Sequence, residues 1–568
     1  MKTIWGNSLN PDSPLSEYPR PQMVRDSWLC LNGRWQYAVN QGDCPPDKMS
    51  GEIIVPFSPE SELSGANCII SPKDILWYKR TFTLDESFSG GRVLLHFGAV
   101  DQTAEVFVNG IFVGAHVGGY TAFSFDITDA IKAENELVVK VRDLSDSSWQ
   151  SKGKQKLKRG GIWYTPQSGI WQTVWCESVP REYISRLSVT PLFDSAAVEV
   201  TAHSNCECEC TVTACGNTKK GRTNVPIILD IGEFTPWSPD EPKLYDLEVS
   251  TSLDSVKSYF GMRKFEVKAD SSGIKRMYLN NRPFFHNGVL DQGYWSDGLY
   301  TAPSDEAMIY DIVQMKELGF NMLRKHIKIE PMRWYYHCDR LGMLVWQDMV
   351  NGGGHYNPLV ITLPVLFGMN FSDSSYGRFA RKSEIGRNQY MTELNEMLVQ
   401  LQNVVSLSVW VPFNEGWGQF DAAKIYDTIK ELDPTRPVDH ASGWHDQGSG
   451  DFKSLHVYFK PYRFKPDKLG RAVILSEFGG YAHRVSEHSF CDRDFGYKKF
   501  STPETLKSAF IELYENEIIP AKERGLCASV YTQLSDVEDE LNGFITYDRR
   551  ISKLSARDIR STVKKLND

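Results

Sequence analysis

Val409-Trp410-Val411-Pro412-Phe413-Asn414-Glu415-Gly416-Trp417-Gly418 is a β-branched and aromatic run that stops on Asn-Glu-Gly. A strand that ends on a carboxylate and meets glycine at once sets that carboxylate at a rim where backbone and ligand come close. Val473-Ile474-Leu475-Ser476-Glu477-Phe478-Gly479-Gly480 has the same design. Two glutamates at the C-terminal ends of two apolar strands are what a (β/α)8 barrel needs for chemistry that uses two carboxylates.

The sequence around these stretches fits a barrel over 267–568. Apolar strand candidates alternate with helical stretches, the mark of repeated βα units. The strands are expected at 283–289, 320–324, 343–348, 405–413, 437–441, 454–458, 472–477 and 527–533. A helix is predicted over 304–318, with Ser304 as N-cap and Gly319 closing it. Another is predicted over 383–402, after a Gly-, Asn- and Ser-rich insertion at 349–376. On this count Glu415 follows strand four and Glu477 ends strand seven, across the mouth from each other.

Two β domains are expected before the barrel. Residues 1–180 carry short β-rich runs broken by turns, including Asn109-Gly110 between two hydrophobic runs, the strongest local hairpin signal. This reads as a jelly roll. Residues 181–266 read as a smaller immunoglobulin-like sandwich. In it Cys206, Cys208 and Cys210, at spacing two, are expected on one face of a strand rather than around a metal. The run Lys152-Gly153-Lys154-Gln155-Lys156-Leu157-Lys158-Arg159-Gly160-Gly161 reads as a solvated basic loop.

At 568 residues the chain needs several cores. Its net charge of −9 is spread out, and no basic face points to nucleic acid. No apolar leader is visible at the N-terminus and no stretch of about 18 apolar residues could span a membrane. The eleven cysteines, odd in number and scattered, fit a reducing compartment, so the expectation is a cytoplasmic protein without a membrane partner.

Glycoside hydrolysis places a carboxylic acid at the leaving oxygen and a carboxylate on the opposite side of the sugar. Glu415 is read as general acid/base and Glu477 as nucleophile. Asn414 can hydrogen-bond a sugar hydroxyl. Arg324, at the end of strand two, could orient Glu477, with His326 just past it. His456 and Tyr458 end strand six, where the phenol could hold the nucleophile. Asp348 ends strand three and either meets a sugar hydroxyl or pairs with Arg324. Trp295, Trp417 and Trp444 sit in predicted loops and are candidate sugar platforms, since aromatic faces stack on the apolar face of a pyranose.

At these residues the chain resembles glycoside hydrolase family 2, the group of β-galactosidases, β-glucuronidases and β-mannosidases. Gly169-Ile170-Trp171-Gln172-Thr173-Val174-Trp175 looks like the end of that family's jelly roll. Trp237-Ser238-Pro239-Asp240 and Tyr259-Phe260-Gly261-Met262-Arg263-Lys264 look like its middle sandwich and barrel entry. Asn414-Glu415-Gly416 and Ser476-Glu477-Phe478-Gly479 look like its acid/base and nucleophile motifs. The resemblance implies a retaining exo-β-glycosidase acting on a saccharide through a covalent glycosyl-enzyme, without an organic cofactor. It assigns no metal ligand here and leaves a homo-oligomer open. The only Asn-x-Lys is Asn217-Thr218-Lys219 in the middle domain, whereas family β-glucuronidases carry one in the barrel. That favours a β-galactoside. The alternatives are another glycone, such as a β-glucuronide, β-mannoside, furanoside or arabinoside, or a non-catalytic carbohydrate-binding relative. Tyr531 and Gln533 stand where many relatives place a tryptophan.

Overall fold

The computed structural model describes residues 1–567. The N-terminal region is a jelly roll of two main antiparallel sheets. One runs Gly51–Val55, Gly33–Asn40, Ile75–Phe82, Asn135–Arg142, Thr103–Val108, Ile111–Val117, and the other Trp28–Cys30, Val174–Val179, Arg92–Phe97, Phe123–Asp126. Side chains alternate between faces along a strand. Accordingly Ala104, Val106 and Val108 point inward opposite Val141, Val139 and Leu137. Asn109 and Gly110 turn the hairpin with φ of +53° and +80°, the positive pair that a type I′ turn requires.

The middle sandwich stacks Ile184–Leu192, Ala197–Ser204, Ile227–Asp230 against Asn217–Arg222, Glu209–Ala214, Tyr245–Ser250, Ser255–Phe260. The cysteine expectation fails here. Only Cys210 lies in a strand, and Cys206 and Cys208 precede it in a turn with their sulfurs 3.7 Å apart. Thr223 shapes that turn, its hydroxyl donating to the Cys206 carbonyl at 2.7 Å and accepting from the Cys208 N–H at 3.0 Å.

The C-terminal region is a (β/α) barrel whose parallel sheet has seven hydrogen-bonded strands. They are His286–Asp291, Met322–Lys325, Leu344–Asp348, Leu407–Val411, Phe452–Val457, Ala472–Gly479 and Leu526–Thr532. The sheet curls from the fourth strand through the first to the eighth, seventh and sixth. The expected fifth strand, 437–441, is reduced to isolated bridges from Val438 and Ser442 to the fourth. On its other side one backbone bond, from the Asp451 N–H to the Val438 carbonyl at 3.2 Å, is joined by side chains: the Val438 N–H donates to Asp451 Oδ2 at 2.8 Å, and Ser454 Oγ to Asp439 Oδ2 at 2.8 Å. Pro437 brings no N–H of its own.

Helix Asp305–Glu317 starts at Ser304, whose Oγ accepts from the Ala307 N–H at 3.2 Å, and ends before Gly319 at φ +101°. Helix Glu384–Leu401 is capped the same way by Ser383. The 349–376 insertion carries a helix of its own, Pro358–Phe367.

Trp237 couples the sandwich to the barrel. It is fully buried in one apolar cluster with Leu344 and Trp346 of the barrel, and its indole N–H donates to the Asp339 carbonyl at 2.7 Å. Trp237→Ala should lower stability by about 3–5 kcal/mol, the cost of a large buried cavity. Trp237→Phe should lose about 1 kcal/mol with the hydrogen bond. Urea midpoints check this, and equal effects of the two changes would contradict it.

Candidate active site

Glu415 occupies a left-handed backbone position, φ +53°, followed by Gly416 at +73° and Gly418 at +67°. A Cβ on Gly418 would lie 2.0 Å from the Gly352 carbonyl oxygen, so the chain can turn there only with glycine. A non-glycine residue at positive φ is uncommon and clusters at functional sites. This turn sets the Glu415 side chain beside Glu477, which arrives from the all-buried seventh strand.

Arg324, fully buried on the second strand, ties the strand ends together. Its Nε and Nη2 donate to Asp348 Oδ1 and Oδ2 at 2.9 and 3.0 Å, and Nη2 also reaches Asn414 Oδ1 at 2.9 Å. Its Nη1 donates to Glu477 Oε1 at 3.2 Å and to the Ser476 carbonyl at 3.0 Å. Burial works against the guanidinium charge, but Asp348 and Glu477 outweigh it and hold the group more firmly protonated than usual. His326 places Nδ1 2.8 Å from Asp348 Oδ2, and burial, aided by Lys154, pushes its basicity well below the ordinary histidine range. The second Glu477 oxygen accepts from the Tyr458 hydroxyl, which also contacts Thr532 Oγ1 at 2.9 Å.

His456 bridges the two glutamates. Its Nδ1 is 2.8 Å from Glu415 Oε1 and 3.5 Å from Glu477 Oε2, while Nε2 meets Ser442 Oγ at 3.1 Å. One oxygen of each glutamate and a His456 nitrogen lie within 4.8 Å of one another. Such a donor set could also close around a metal ion. Burial raises the Glu415 pKa, but the hydrogen bond and charge of His456, the Lys154 cation and the Trp417 N–H together hold it below the usual carboxylate value. The Trp417 Nε1 donates to Glu415 Oε2 at 3.2 Å.

Ten of the eleven sequence candidates therefore converge: Glu415, Glu477, Asn414, Arg324, His326, Asp348, His456, Tyr458, Trp417 and Trp444, whose ring centroid lies 5.9 Å from that of His456. Trp295 does not. It is buried with the edge of Trp5 against it and the Arg549 guanidinium 4.1 Å from its ring centre, so it has no face left for a sugar.

The basic loop is solvated only at Leu157 and Lys158, and its first half is buried, unlike the sequence reading. Lys152 is buried and its ammonium donates to the Gly353 carbonyl at 2.9 Å. The N–H groups of Lys152 and Gly153 both donate to the Asn351 carbonyl at 3.0 Å. Gln155 bonds Asp101 and Tyr120 at 3.0 and 2.8 Å, and Arg159 pairs with Asp539 at 2.7 Å. This loop of the first domain brings Lys154 and Trp163 to the barrel mouth. Sequence reasoning missed both, along with Tyr497, which stacks on Tyr458 at 3.7 Å and 7°. The cue was available in Gly160-Gly161-Ile162-Trp163, a turn that delivers an aromatic ring directly after the charges.

Two glutamates meet at the C-terminal mouth of a barrel, Glu477 held by Arg324 and Tyr458 and Glu415 by His456 and Trp417, an arrangement suited to chemistry that uses two carboxylates. Family models described as "Glycosyl hydrolases family 2, sugar binding domain", "Glycosyl hydrolases family 2" and "Glycosyl hydrolases family 2, TIM barrel domain" match residues 65–177, 182–263 and 272–542. The chain belongs to glycoside hydrolase family 2. A β-galactosidase of Thermoanaerobacter pseudethanolicus is 26% identical over 64% of this chain and 48% of its own length. The chain spans about half the length of the first curated relatives it matches. Among solved structures, a β-D-glucuronidase of Dictyoglomus thermophilum is similar at TM-score 0.75 and 17% identity, over 96% of this chain and 98% of that one. A β-galacturonidase of Eisenbergiella tayi is similar at TM-score 0.71 and 19% identity, over 96% and 99%.

Proposed function

We propose that the chain is a retaining exo-β-glycosidase that releases a terminal β-linked sugar, with a β-galactoside as substrate. The observation that carries the reading is the approach of Glu415 and Glu477 oxygens to within 4.8 Å. Retaining enzymes keep their carboxyl groups about 5–5.5 Å apart, and inverting ones about 6.5–9.5 Å to admit a water. Glu477 attacks the anomeric carbon while Glu415 gives its proton to the leaving oxygen. Glu415, now a carboxylate, then takes a proton from the water that releases the sugar from Glu477. Arg324 and Tyr458 hold the two Glu477 oxygens and so aim the nucleophile. Arg324 takes Asn414 Oδ1, which leaves the Asn414 amide N–H groups for a sugar hydroxyl.

Several curated relatives are named β-galactosidases, which with the lack of an Asn-x-Lys in the barrel supports the galactoside, while another is named a putative β-glucuronidase. One observation favours a second reading, a β-glycuronide. Lys154 acts electrostatically on both Glu415 and His326 and makes no ion pair among the described residues, so a sugar carboxylate would find a cation there. A cytoplasmic setting is supported by the eleven free cysteines. Among the described residues no helix is long and apolar enough to cross a membrane.

A panel of 4-nitrophenyl glycosides tests the reading. The β-galactoside should turn over fastest, and Glu477→Gln should abolish turnover while sugar binding survives; wild-type rates in that variant would remove Glu477 from the nucleophile role. A preference for the glucuronide or galacturonide that Lys154→Met erases would establish the second reading instead. Azide should restore turnover of activated substrates by Glu415→Ala, because a small anion attacks the glycosyl-enzyme without a base. Absence of rescue would count against Glu415.

The pH profile gives a further check. Glu415 must be protonated for the first step, so kcat/KM is lost as pH rises through its lowered pKa. His456→Asn removes the strongest influence that lowers it and should move this alkaline limb to higher pH. A limb that stays in place would show that another group sets it.

A further inference from the structure

Glu415 protonates the leaving oxygen, so the group being expelled must lie on the Glu415 side of the site, away from Glu477. Three aromatic rings from three separate segments meet on that side. Trp417 donates its N–H to Glu415 Oε2 at 3.2 Å. Its ring is 4.4 Å from that of Trp163, which the first domain supplies, and 5.1 Å from that of Tyr356, which the insertion after the third strand supplies. Trp163 and Tyr356 lie nearly parallel, 20° apart with centroids at 5.9 Å. The loops carrying these two rings are joined by the backbone bridge Ser151–Gly352 and by the Lys152 ammonium donating to the Gly353 carbonyl. The cluster is therefore built, not a chance meeting of surface side chains.

Trp163 is only half-buried, while Trp417 beneath it is buried. The flexible Lys156 side chain lies over Trp163, its ammonium 4.0 Å from the ring centre, with no ion pair among the described residues. A half-exposed indole with a lysine ammonium over its ring is a stacking surface that a ligand can take over.

We propose that Trp163, with Trp417 and Tyr356, forms the leaving-group subsite of this enzyme, and that it selects aglycones with a flat ring, aromatic or pyranose, in preference to small or linear ones. The inference rests on the retaining-glycosidase reading. It assigns the first domain a direct part in substrate choice: Trp163 contacts the aglycone, while Trp417 also positions Glu415. Lys156 adds a preference for an acidic substituent on that ring.

The test compares two substrates of whichever sugar the nitrophenyl panel selects, the glycosyl fluoride and the 2,4-dinitrophenyl glycoside. Both leaving groups depart with little need of an acid, so a disturbed Glu415 affects them alike, and only the second carries a ring. For Trp163→Ala the ratio of kcat/KM, dinitrophenyl over fluoride, should fall about tenfold, the scale of one lost ring contact. Trp163→Phe keeps a flat ring and should hold most of the ratio, which also controls for misfolding. A 4-nitrophenyl-cellobioside-type disaccharide substrate of the same glycone tells a pyranose aglycone from an aryl one, and Lys156→Ala should weaken the 4-carboxyphenyl glycoside more than the 4-nitrophenyl one. A dinitrophenyl-to-fluoride ratio that stays within twofold in Trp163→Ala overturns the proposal, whether both substrates slow together or neither does. A wild-type chain that cleaves no glycoside in the panel brings down the underlying glycosidase reading, and is told apart because it fails before any substitution is made.

Discussion

A buried guanidinium costs least when its charge is paired and its five N–H donors all find acceptors. Arg324 meets both conditions, and the way it does so fixes the mouth of the barrel. Its acceptors are the Asp348 carboxylate from the third strand, Asn414 after the fourth, and Glu477 with the Ser476 carbonyl from the seventh. Moving any one of these strand ends by an ångström would leave a donor unsatisfied in a water-free place, at a cost of about 1–3 kcal/mol or more. The nucleophile's aim and the Asn414 amide's orientation are thus consequences of one satisfied cation. Lysine, a point charge with three donors, could not meet the same five acceptors in the same plane.

What the sequence revealed follows from where this interaction sits. Arg324, Asp348, Asn414, Glu477, His456 and Tyr458 all lie at or just past the ends of apolar runs, and in a parallel barrel such positions share one rim by geometry alone. Their meeting could be read without knowing any contact. The expected fifth strand, 437–441, is where the apolar pattern overreached, because its links to the sixth run largely through the Asp439, Asp451 and Ser454 side chains, which leave no period-two signature. Trp295 misled for the complementary reason. It does stand in a loop after the first strand, but Trp5 and Arg549, from opposite ends of the chain, cover it. No local pattern announces partners that far away.

The basic loop shows how charge can misdirect. Lysines and glycines in alternation read as solvent-facing, yet a lysine ammonium can be buried if backbone carbonyls accept its protons. Lys152 has the Gly353 carbonyl, and burial lowers its pKa to about 8. That anchoring turns a jelly-roll loop into a wall of the catalytic mouth and sets Lys154 close enough to influence Glu415 and His326. The first domain therefore contributes to the electrostatics of the site and not only to the stability of the chain.

The two glutamates are held differently, and the difference matches what each must do. Glu477 emerges from a continuous buried strand, and a guanidinium and a phenol fix its two oxygens, so it has one direction in which to react. Glu415 sits at a left-handed turn, on softer supports: an imidazole on one oxygen and an indole N–H on the other. A nucleophile gains from rigidity, since misplacement of about 1 Å can cost a hundredfold in rate. A group that must give up a proton and then reclaim one is better served by an imidazole and an indole N–H than by a guanidinium locked against it. The asymmetry of support is therefore an independent physical argument for which carboxylate attacks and which one shuttles the proton.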